Sequence, residues 1–147
     1  MHSVRRAVLH VDDDPAILRV VGTNLRNRGY EVISLDDPSR TIATLLEHHC
    51  RVAILDVDMP MENGLEVLSR IKEFDGGVQV IMLTGLVSMN AVLESMRRGA
   101  EACFFKPVLD YDEFHVRLDA TFGKLDEWWH TLQDLASRRQ SELCTTA

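Results

Sequence analysis

The stretch RVAILDVDMPMENG, residues 51–64, decides the fold: four consecutive apolar residues run straight into Asp56, with Asp58 two positions on. A strand with one wet face alternates apolar and polar residues. An unbroken apolar run predicts cover on both faces, the pattern of a parallel sheet between two helix layers. Four more short, largely apolar runs recur along the chain and read as buried strands: AVLHV (7–11), EVISL (31–35), VQVIML (78–83) and ACFF (102–105). The first run, extended as VAILDV (52–57), is the third in chain order.

Helical punctuation lies between the runs. Asp14 before Pro15 predicts an N-cap with proline in the first helical position, and Ile17, Leu18, Val21 and Leu25 repeat at helical spacing until Gly29. Asp37 before Pro38 opens a second helix in the same way. Residues 65–74 make a third, and residues 88–98, closed by Gly99, a fourth. Strand and helix alternate, so the expected fold is a doubly wound five-stranded parallel sheet in the α/β class.

In such a sheet, chemistry sits beyond the carboxyl ends of the strands, where strand order reverses. Asp12 and Asp13 end the first strand, Asp56 the third, Thr84 the fourth and Lys106 the fifth. Carboxylates gathered at one edge repel one another unless a cation joins them, and an all-oxygen set of hard ligands suits Mg2+. Asp56 could then act as a nucleophile toward a phosphoryl group, with Lys106 neutralising charge on the transferred oxygens and Thr84 offering a hydroxyl donor. Asp14 and Asp37 read as caps alone.

Composition narrows the partners. The 147 residues carry 16 basic against 23 acidic side chains, a net charge of -7, which disfavours sequence-independent binding to nucleic acid or anionic membrane. No apolar run approaches the roughly 20 residues that span a bilayer, and the N-terminus meets acid too soon for a signal peptide, so a cytoplasmic location is expected. Cys50, Cys103 and Cys144 are odd in number and scattered, which favours free thiols. His48, His49 and Cys50 point different ways on a helix and do not suggest a metal site.

The motifs LHVDDDP, AILDVDMPMENG, VIMLTG and CFFKP, spanning residues 8–107, resemble the receiver domain of two-component response regulators, the flavodoxin-like fold of chemotaxis regulators. The resemblance implies that Asp56 accepts a phosphoryl group from a histidine kinase or phosphotransfer protein. It implies a Mg2+ site made by Asp13 directly, Asp12 through water, Asp56, and the backbone carbonyl of Asp58. Thr84 would be the switch hydroxyl and Lys106 the lysine paired with acceptor and phosphate; Pro60 and Gly64 match the loop after the acceptor. A signalling switch rather than an enzyme is implied, acting on a downstream protein. Two positions depart from the family pattern. Cys103 stands where an aromatic residue is usual, and Asp58 with small Gly85 leaves the rate of dephosphorylation open.

After Pro107 the sequence reads helical for about 30 residues, roughly 45 Å. Leu118, Phe122, Leu125, Trp129, Leu132 and Ala136 alternate spacings of four and three, with Phe114, Trp128 and Leu135 widening the stripe. The pattern passes through Gly123 in register, which favours one continuous helix with a soft point there. The stripe either folds back on its own domain or serves a homodimer or partner, and two tryptophans beyond the sheet's reach favour contact. The expected organisation is a receiver domain over residues 1–123 and a helical extension over 124–147 that ends in a frayed LCTTA tail. DNA binding is not expected. Two rival readings are a phosphorylation-independent interaction module and a phosphohydrolase of the haloacid-dehalogenase type, whose Asp-x-Asp pattern resembles LDVDM but lies on the first strand.

Overall fold

The computed structural model describes residues 3–145. Strands β1 (Ala7–Val11), β2 (Glu31–Leu35), β3 (Val52–Leu55), β4 (Gln79–Thr84) and β5 (Ala102–Phe105) form one sheet in the order β2-β1-β3-β4-β5. Every pairing is parallel. The order reverses between β1 and β3, so the loops after these two strands flank the switch point.

Helices α1 (Pro15–Asn27), α2 (Thr41–His48), α3 (Gly64–Phe74), α4 (Met89–Arg97) and α5 (Tyr111–Thr145) cover the sheet. Leu45, Leu68, Ile71 and Ala91 from α2, α3 and α4 meet Leu9, Ala53 and Val80 on one face. On the other face Val21 and Leu25 of α1 and Phe114, Leu118 and Phe122 of α5 meet Val8, Ile54 and Ile81. Each such large side chain contributes about 1.5–3 kcal/mol when fully buried. The caps act as their residue types predict: Asp14 Oδ1 accepts from the Ala16 amide, and Ser88 Oγ from that of Ala91. Gly29 and Gly99 take positive φ at the ends of α1 and α4. Arg98 complements the end of α4 and also ties it to α3, donating to the Leu65 carbonyl and Ser69 Oγ.

Several expectations need correction. Burial on both faces holds for β1, β3 and β4, whereas β2 and β5 are partly exposed along their length. They are the edges of the sheet, and a helix layer cannot wrap around an edge. Asp37 caps a short 3-10 turn, Pro38–Arg40, before α2 begins at Thr41. Cys103 is half-buried, because it lies on edge strand β5. The expected fraying at residues 143–147 does not hold for Leu143 to Thr145, which belong to α5; residues 146 and 147 lie outside the described residues. Helix α5 is continuous through Gly123. Its stripe divides: Phe114, Leu118, Phe122 and Leu125 are buried in their own domain, while Trp128, Trp129, Leu132 and Leu135 are exposed.

Candidate functional site

Three acids converge at the switch point. Asp12 follows the last residue of β1 and is wholly buried; Asp56 follows β3 and is 3% exposed; Asp13, beside them, stands in solvent. One carboxylate oxygen from each lies within 4.8 Å of the others. From the end of β5, Lys106 Nζ reaches Asp12 Oδ2 at 2.6 Å and Asp56 Oδ2 at 3.1 Å. The Lys106 amide donates to the Thr84 carbonyl at 2.9 Å, which holds the strand end in register. The peptide between Lys106 and Pro107 is cis.

Burial pushes the Asp56 carboxyl above the usual carboxylate range; the Lys106 ammonium opposes the shift, Asp12 adds to it, and the Thr84 hydroxyl weakly opposes it. For Lys106 burial works against the charge, but hydrogen bonds to Asp12 and Asp56 outweigh burial and the pKa is raised. The ammonium is thereby kept charged between two acids.

The backbone around the acids is equally constrained. Asp12 Oδ1 accepts from the Asp14 amide at 2.9 Å, and the Asp58 amide reaches Asp56 Oδ1 at 3.4 Å. Asp58 itself is exposed and joins the cluster through its amide, where its carbonyl is the group expected to serve. Thr84 is fully buried, and its Oγ1 accepts from the Leu86 amide at 3.0 Å. Gly64 lies so close to the acceptor strand that a Cβ there would sit 1.7 Å from the Asp56 carbonyl oxygen. The Gly64 amide donates to the Val57 carbonyl at 2.8 Å, and Asn63 caps α3 by accepting from Leu65. The loop through Pro60 is thus folded back against Asp56.

Asp12, Asp13, Asp56, Thr84 and Lys106 are therefore brought to one edge from four strands. The donor set is all oxygen, carries excess negative charge and has one solvent-facing member. That chemistry fits a divalent cation that keeps part of its water shell. The Asp-x-Asp pattern follows β3, not β1, unlike the arrangement of the haloacid-dehalogenase rival. One residue escaped the sequence reading. His10 is fully buried on β1, and among the described residues neither ring nitrogen has a partner. Burial, with Lys106 adding to it, lowers its pKa to about 4. The available signal was an imidazole inside an apolar run two positions before Asp12.

A model of the response regulator receiver domain matches residues 8–119. The chain is 34% identical over 113 residues to the transcriptional regulatory protein KdpE of Mycobacterium tuberculosis, covering 77% of this chain and 49% of that one. It spans about half the length of the curated relatives it matches. Among solved structures, a CheY-like receiver domain protein from Methanospirillum hungatei superposes with a TM-score of 0.73 at 29% identity, covering 82% and 99% of the two chains. The beryllofluoride-activated NtrC4 receiver domain dimer gives 0.76 at 26% identity, covering 82% and 98%.

Proposed function

This chain belongs to the family of response regulator receiver domains, and from that premise we propose that Asp56 is its phosphoacceptor. The observation that carries the reading is Lys106 Nζ bridging two buried carboxylates, Asp12 and Asp56, with Asp13 beside them. An Asp56 oxygen attacks the phosphorus of a phosphohistidine on a histidine kinase or phosphotransfer protein. The P–O bond of an acyl phosphate forms, the P–N bond breaks, and the electron pair leaves with the imidazole. Lys106 then moves its charge from the bare carboxylate to the phosphoryl oxygens, and Thr84 offers its hydroxyl as a donor. Mg2+ would be held by Asp12, Asp13, Asp56 and the Asp58 carbonyl, and when bound it supplies neutralising charge to the carboxylates and phosphate.

The domain acts as a switch in the cytoplasm, with its own phosphorylation and dephosphorylation as its only chemistry. The output is a change in contacts with a downstream protein. Residues 1–123 carry the switch and residues 124–147 are an extension that supports a homodimer; the exposed half of α5 favours this, and the similar NtrC4 receiver domain is described as a dimer. Neither nucleic acid nor membrane is a partner in this reading, in keeping with the net charge of -7.

Intact-mass measurement after incubation with acetyl phosphate tests the switch chemistry. The expected result is a Mg2+-dependent gain of one phosphoryl group, absent in Asp56→Asn. An adduct that persists in Asp56→Asn would assign the acceptor elsewhere. Failure of the wild-type chain to take up either phosphoryl group or beryllofluoride would favour a phosphorylation-independent interaction module.

A further inference from the structure

The face of α5 that buries Phe114, Leu118, Phe122 and Leu125 continues beyond the sheet. Trp129, Leu132 and Ala136 follow Leu125 at spacings of four, three and four, so they turn toward the underside of the domain. There Trp129 and Leu132 line a groove of about 600 Å³ with Val4, Arg5, His49 and Arg51, at the pole opposite the acidic site. Trp129 is 42% and Leu132 56% exposed.

We propose that α5 of a second copy fills this groove, packed antiparallel about a two-fold axis near Ala136. The proposal rests on self-association through α5 and adds its direction. The sheet sets that direction, because it lies on the same side of the helix as the stripe. A parallel partner seated on the stripe would run upward into the first protomer's own sheet. An antiparallel partner enters from below and carries its domain to the far end. Centring the pair on Ala136 sets a small side chain at the crossing, where backbones approach closely, and brings Trp129 opposite the partner's Leu143. About 20 residues of each helix lie beyond the sheet; the half of them on the stripe side, with Ser3, Val4, Arg5, His49 and Arg51 of the groove, gives each copy about 15 contact residues, the size of a small interface. Arg5 and Arg51 at the rim are paired with Glu31 and Asp75 yet keep further N–H groups, and their positive charge complements the negative end of the partner's helix dipole.

Solution mass and spin-label distances on the full chain test this. Cys144 is exposed, Cys50 buried and Cys103 half-buried, so Cys144 can be labelled alone in a Cys103→Ala background. A second label site, Ser137→Cys with Cys144→Ser, lies one heptad away on the same side of the helix. In the antiparallel pair the axial offset between the two copies' labels grows from about 3 Å at residue 137 to about 24 Å at residue 144, at 1.5 Å per residue. The expected result is a dimer with this widening, converted to monomer by Leu132→Glu with unchanged circular dichroism. A monomeric wild-type chain overturns self-association and the proposal with it. A dimer with equal distances at both sites overturns the direction alone and assigns a parallel pair on the flank of Trp128 and Leu135. A dimer that survives Leu132→Glu overturns the groove as the interface.

Discussion

His10 shows how a single buried side chain ties the stability of this domain to pH. Its folded-state pKa of about 4 lies below the ordinary 6.5, so folding releases a proton when the unfolded chain holds one. The neutral ring's contribution is complete above pH 6.5 and is lost as pH falls toward 4. The loss amounts to roughly 3 kcal/mol over that window. Replacing the ring with a chain that cannot titrate removes this loss. His10→Leu is expected to be flatter than wild type in urea-unfolding free energy between about pH 7 and pH 4.5, and parallel curves for the two proteins would refute the assignment. Asp56 contributes with the opposite sign. Its raised pKa makes its burial least costly at low pH and most costly once pH rises above the folded value.

Among the elements, α3 is the one most tightly bound to the chemistry. Its first residue, Gly64, has no room for a methyl group against the Asp56 carbonyl, and the obstructing atom is backbone, which cannot rotate away. Gly64→Ala is expected to cost about 2–4 kcal/mol and to displace the acceptor strand end. Thermal denaturation should show a lowered Tm, and phosphorylation by acetyl phosphate should slow; a variant with unchanged Tm would mean that α3 shifts freely. Most elements were legible in the sequence because their signals are local: the caps at Asp14 and Asp37, and the largely apolar runs of β1, β3 and β4. The half-exposure of β2 is marked by Glu31 and Ser34, its two exposed positions, whereas that of β5, apolar throughout, was not legible, since it follows from strand order rather than from strand composition. Likewise, the period of α5 located its apolar stripe but not the point at which the sheet beneath it ends. The acids, Thr84 and Lys106 were readable as residue types at strand ends. The bond from Lys106 to Asp12 spans 94 positions, and only the assembled sheet reveals it.

For the molecule as a whole, a divalent cation held at the acidic edge would make stability depend on its concentration. A cation that binds only the folded chain stabilises it by RT ln(1 + [L]/Kd), about 1.4 kcal/mol at ten times Kd. Mg2+ is expected to raise the Tm of the wild-type chain and to leave Asp13→Asn nearly unmoved. Equal shifts in both proteins, measured by differential scanning fluorimetry, would place the cation away from the cluster. Among the described residues no helix is long and apolar enough to cross a membrane.

The uninterrupted course of α5 has a mechanical consequence. At 35 residues it is one rod about 52 Å long, gripped by the sheet over its first half. The gripped half acts as a pivot and the free half as a pointer. A tilt of about 5° at the pivot would sweep the far tip through roughly 3 Å, given a free arm of about 30 Å. Events at the acidic edge too small to reshape the domain could thus be read as displacement at its opposite end.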